Sequence, residues 1–183
     1  RLLRGLILAF ISWYVFLCLL HLLSQRPLWN DEACVFESVK AFSPSQMFSE
    51  KLLSIQVFPR VYLLAIQQFS RLFSFHVISL RFLPFVCMIA AFALWLKIAR
   101  VELKDNFEFL IFVLSWPASA MLLYYSAELK PYSMDVLVGA VFLVFLYRQE
   151  KLEQRLSPKQ LIPRIVWLPA LGLFSYPAFL WAL

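Results

Sequence analysis

The chain has 183 residues, 62% of them hydrophobic and only 15% charged. A soluble domain is about half apolar and about a quarter charged, so this composition excludes an ordinary soluble globule and points to an all-α integral membrane protein of several spans. The net charge of +6 lies in connectors between apolar runs, which fits orientation of spans in a lipid bilayer, and no motif argues for nucleic acid.

Arg1 and Arg4 precede an apolar run over 6–23, long enough for a first span. Held on the cytoplasmic side, these arginines deliver the next segment to the opposite face. The chain opens on Arg1 rather than Met and is still apolar at Leu183, so it is expected to be a piece of a longer protein.

Residues 24–76 form the expected extracytoplasmic loop, which opens with Leu28-Trp29-Asn30-Asp31-Glu32-Ala33. Asn30 is placed to cap a helix over about 31–42, with Asp31 and Glu32 in its favourable first turn. Ser43-Pro44-Ser45 ends that helix, and Pro44 can open the next. Over 59–73, Arg60, Gln67, Arg71 and Ser74 share one helical stripe opposite Leu, Ile, Ala and Phe. Such a stripe is costly against lipid at mid-bilayer, so a helix along the membrane interface is favoured over a span.

Further spans are expected at 77–96, 107–125, 132–147 and 165–183. Lys97, Arg100 and Lys104 follow the first of these, and Arg148, Lys151, Arg155, Lys159 and Arg164 follow the third. Placing both connectors inside with Arg1 and Arg4 puts most of the 17 Lys and Arg residues in the cytoplasm. That arrangement holds if 59–73 does not cross, and it brings the link between 107–125 and 132–147 to the same face as Asp31 and Glu32.

The link reads Tyr125-Ser126-Ala127-Glu128-Leu129-Lys130-Pro131-Tyr132-Ser133 and is followed by Asp135. So many polar groups at a membrane edge suggest function, although tyrosines also anchor interfaces and a lysine can snorkel. Cys18, Cys34 and Cys87 form no disulfide framework. There is no Gly-rich phosphate loop, no metal-spaced His/Cys cluster and no Ser/His/Asp elbow, so no cofactor or metal is expected.

The Trp29-Asn30-Asp31-Glu32-Ala33 and Tyr125–Ser133 stretches, with Leu80-Arg81 opening the second span, resemble the bacterial membrane glycosyltransferases (GT-C superfamily) related to protein O-mannosyltransferases and lipid A aminoarabinose transferases. The resemblance implies a helical bundle that moves a sugar from a polyprenyl-phosphate carrier to an acceptor (glycan, lipid or protein) outside the bacterial plasma membrane. It implies Asp31 as general base or acceptor-positioning carboxylate, with Glu32 beside it. Arg60, Glu128, Lys130, Tyr132 and Asp135 are the candidate substrate-binding residues. Two departures stand out: Lys130 replaces the family's Arg and loses its bidentate phosphate fork, and Arg60 follows Pro59 where a basic residue usually precedes the proline. The competing expectation is a polytopic transporter or lipid flippase, which wants charges at mid-bilayer on several spans. A non-catalytic scaffold, the third possibility, gives no single charge a role.

Overall fold

The computed structural model describes residues 1–150 and 168–177, with the side chains of 55, 148–150 and 168–169 excepted. In chain order the elements are α1 (Leu2–Leu23), α2 (Asn30–Ala41), α3 (Gln46–Ser49), a 3-10 turn (Leu53–Ile55), α4 (Arg60–Arg71), α5 (Val77–Glu102), α6 (Asn106–Ala118), α7 (Ala120–Tyr125), α8 (Tyr132–Glu150) and α9 (Leu168–Leu171). The described residues are all-helical, without a strand. Two helices, α1 and α5, are long and apolar enough to cross a membrane by length and composition; α6 and residues 132–147 of α8 are shorter apolar helices. The expected span 165–183 is described only at 168–177, where α9 gives way to a turn. Its remainder, and Lys151, Arg155, Lys159 and Arg164, lie outside the described residues.

Two kinds of packing divide the molecule. α1, α5 and α6 meet through apolar side chains, and Tyr14, Phe92 and Trp116 form a ring triad with centroids 4.5, 4.8 and 5.5 Å apart. α8 packs along α5. A second core gathers α2, α3, α4 and the start of α5 around Val39, Met47, Leu63, Ile66 and Leu80, with Leu129 inserted from the link 126–131.

The structure changes the expected elements at four places. Asn30 is the first helical residue of α2 rather than its cap; Trp29 takes the capping position, and its N–H donates to the Glu32 carboxylate at 3.3 Å. α5 runs unbroken past Pro84 to Glu102, beyond the expected end at 96. The expected span 107–125 is two helices. Pro117 cannot donate and crowds the carbonyl one turn back, Ser119 turns extended (ψ 104), and its Oγ accepts from the Leu122 N–H to start α7. Pro44, the expected opening of the next helix, lies instead in the turn before α3, whose start is fastened by reciprocal Ser43–Gln46 bonds of 2.9 and 3.3 Å.

α4 has 12 residues, about 18 Å at 1.5 Å per residue, against a hydrocarbon core of about 30 Å. Its polar stripe meets the open carbonyls at the C-terminal ends of its neighbours. Gln67 Nε2 donates to Val39 O and Phe42 O at 2.7 Å each, Arg71 to Phe42 O at 3.4 Å, and Arg60 to Met47 O at 3.1 Å. Ser74 and Phe75 then adopt left-handed backbone (φ 51 and 57) and reverse the chain into α5.

Candidate functional site

Asp31 and Glu32 are successive residues of one helix, so their side chains leave it about 100° apart. That rotation gives them different surroundings. The Asp31 side chain is 53% exposed, whereas that of Glu32 is 1% exposed. Glu32 faces Arg81, on the second turn of α5 and fully buried, and accepts from it twice: Nε to Oε1 at 3.1 Å and Nη2 to Oε2 at 2.6 Å. This is the parallel two-bond geometry that makes Arg–carboxylate pairs strong and directional.

The pair is also a joint. Glu32 Oε1 accepts from the Leu129 N–H of the link at 2.9 Å, and Oε2 from the Trp29 N–H. The Arg81 guanidinium also donates to the carbonyls of Arg26 (2.7 Å) and Pro27 (3.3 Å). A single carboxylate and a single guanidinium therefore hold α2, α5, the loop after α1 and the link together. Four donors occupy the two oxygens of Glu32. These bonds fix Glu32 in place and engage both its oxygens within the protein.

The link is fastened from two more sides, each time by its backbone. Tyr62 on α4, fully buried, donates its hydroxyl to Lys130 O at 2.8 Å, and burial raises that hydroxyl's pKa so that it stays a neutral donor. Arg26 donates to Tyr124 O (3.4 Å) and Ala127 O (3.3 Å), and its guanidinium lies 4.2 Å above the Tyr124 ring.

Held this way, Lys130 brings its ammonium to Asp31. Nζ lies 2.9 Å from Asp31 Oδ2 and 3.7 Å from Glu128 Oε1, with a side chain only 9% exposed. The Tyr132 ring centroid is 5.6 Å away, and Tyr125 packs on Tyr132. Burial works against the Lys130 charge, but the Asp31 hydrogen bond and the Glu128 carboxylate outweigh it and raise the ammonium's pKa. Glu128 is 1% exposed, and its Oε2 has no hydrogen-bond partner. Burial raises its carboxyl above the usual range, opposed by Lys130 and by the adjacent Trp29 indole.

The structure thus gathers Asp31, Glu32, Glu128, Lys130 and Tyr132. Asp135 stands one turn into α8 with Oδ1 buried and unpartnered, and it makes no ion pair with Lys130. Arg60, expected as a phosphate-binding cation, instead directs its guanidinium to the Met47 carbonyl because the end of α3 lies against the start of α4. Sequence reasoning noted Arg81 only as the opening of a span and passed over Arg26 and Tyr62. The available signal was physical: a guanidinium five residues into an apolar helix requires a carboxylate. Among the described residues no three His, Cys, Asp or Glu side chains are grouped to hold a metal ion. Comparison with protein-family models, with curated proteins and with solved structures finds no match to this chain.

Proposed function

We propose that the chain is the N-terminal part of a multi-span membrane glycosyltransferase that takes a sugar from a polyprenyl-phosphate carrier to an acceptor on the extracytoplasmic face of the bacterial plasma membrane. The observation that carries this reading is the contact between Asp31 and Lys130: an exposed carboxylate 2.9 Å from an ammonium whose stem is buried. Sugar transfer from a phosphate needs these two groups side by side. As the acceptor oxygen bonds to the anomeric carbon and the bond to the phosphate oxygen breaks, a carboxylate takes the acceptor's proton and a cation neutralises the departing phosphate. In this reading Asp31 is the base and Lys130 the phosphate cation. Glu32 acts through Arg81 and Leu129 by fixing where the two stand. Membrane-length α1 and α5 fit a carrier that arrives through the bilayer.

The test uses the full-length protein in membranes with radiolabelled polyprenyl-phosphate sugars. Wild type transfers label to an acceptor, and Asp31→Asn, equally abundant in the membrane, loses at least about 100-fold of that rate. Full activity in Asp31→Asn removes its role as base. Absence of transfer from every donor sinks the reading and leaves a transporter ahead.

A further inference from the structure

The assignment of base and phosphate cation leaves one group in the site unused. Glu128 is buried, its Oε2 touches no donor, and its Oε1 is 3.7 Å from Lys130, beyond hydrogen-bond length. Glu32, Tyr62 and Asp31 are each engaged: Glu32 by four donors, the Tyr62 hydroxyl by a carbonyl, Asp31 by the ammonium. A buried carboxylate oxygen in a polar site calls for a donor, and among the described residues none makes a hydrogen bond to Oε2. Next to it stands Trp29, 54% exposed although it caps a well-ordered helix, with its indole beside the carboxylate. A flat apolar face adjoining an unused acceptor fits a ligand with a flat apolar side and donor groups around its rim, as a sugar ring has.

We infer that Glu128 recognises the transferred sugar, its free oxygen accepting a hydrogen bond from one ring hydroxyl while the Trp29 indole covers a face of the ring. This rests on the glycosyltransferase reading and adds the specificity determinant to it. Access follows from Lys130. Its ammonium lies between Asp31 and Glu128, so a donor phosphate that draws it away uncovers both carboxylates in one movement, one for the acceptor and one for the sugar.

The test compares kcat/KM of the full-length protein for a polyprenyl-phosphate hexose with its series of monodeoxy analogues. For wild type, one analogue is poor because Glu128 is left without its donor. Glu128→Gln loses at least about tenfold with the parent sugar and less than about twofold with that one analogue. Trp29→Ala, at an exposed position, raises KM for every member without changing which deoxy position matters, and Trp29→Phe restores it. Equal losses for Glu128→Gln across the series overturn the inference while leaving glycosyl transfer intact. A Trp29→Ala enzyme with unaltered KM overturns the stacking role. If wild type transfers none of the series, the glycosyltransferase reading itself falls and takes this inference with it.

Discussion

The α1–α5–α6 bundle and the assembly built on α2, α4 and the link 126–131 are held by opposite means. In the bundle, Tyr14, Phe92 and Trp116 touch through ring faces and edges, and the neighbouring contacts are aliphatic and aromatic alike. Such contacts are additive and tolerant, since a side chain of similar volume serves almost as well. The second region is tied by a few directional bonds that span large distances in the chain: Glu32 to Arg81 across 49 residues, Glu32 to Leu129 across 97, Asp31 to Lys130 across 99. Each such bond fixes position to a fraction of an ångström, and each fails when one partner is removed. The tolerant region provides support, and the exacting region is where chemistry would need fixed distances.

The largest expected break in this comparison comes from Arg81→Met. Leaving Glu32 buried without its cation costs about 3–5 kcal/mol. Thermal unfolding in detergent, followed by limited proteolysis, should show early cleavage within 24–76 while the bundle keeps its helical signal. Adding Glu32→Leu should recover part of the loss, since removing both charges is milder than stranding one. Equal resistance of Arg81→Met and wild type to protease would mean that the pair does not hold this region. Phe92→Leu in the bundle, by contrast, should cost less than about 1.5 kcal/mol in the same assay.

A smaller effect is expected from Tyr62→Phe, which deletes one buried hydroxyl and leaves Lys130 O without it. The loss should be about 0.5–1.5 kcal/mol, and kcat should fall more than the melting point implies because Lys130 shifts relative to Asp31. Unchanged kcat would mean that the link keeps its place without this tether. Asp31→Asn should be nearly silent for stability, within about 1 kcal/mol, because its ion pair is half open to water. Under the proposed reading its effect belongs to activity.

The smallest expected effect is a pH slope. Burial raises the Glu128 carboxyl, so the folded chain holds this proton more tightly than the unfolded chain. Stability from this group is complete below the ordinary carboxylate range and is lost as pH rises through the raised value. Glu128→Gln should therefore gain on wild type as pH climbs from acid toward neutral, read as the difference between two melting curves. A constant difference would remove Glu128 from this balance.

Part of this organisation was legible in the sequence. The two acids in the first turn of α2, the short Pro-led α4 and the basic residue of the link all follow from local pattern, as does a region richer in charge than its surroundings. Other features had no local signature. Tyr62 reads as one more aromatic on an apolar face, and only the fold brings Lys130 O to its hydroxyl. The stripe Arg60–Gln67–Arg71 is visible as a stripe, but the carbonyl ends it meets belong to helices whose placement the stripe cannot specify. The break between α6 and α7 was signalled by Pro117 and obscured by the apolar run around it. The different fates of Asp31 and Glu32 follow from 100° of helix rotation, yet which of them turns inward depends on where Arg81 arrives.

The fastening of the link by its main chain has a further consequence. Leu129 offers its N–H, and Ala127 and Lys130 offer their carbonyls, so none of these three ties depends on which side chain the residue carries. Positions 128 and 130 therefore work as an interchangeable tool in a fixed holder. Under the proposed sugar-transfer reading, exchanging the pair of side chains should retune selectivity while the mount stays in register, which would make these two sites the natural place to engineer a new donor preference.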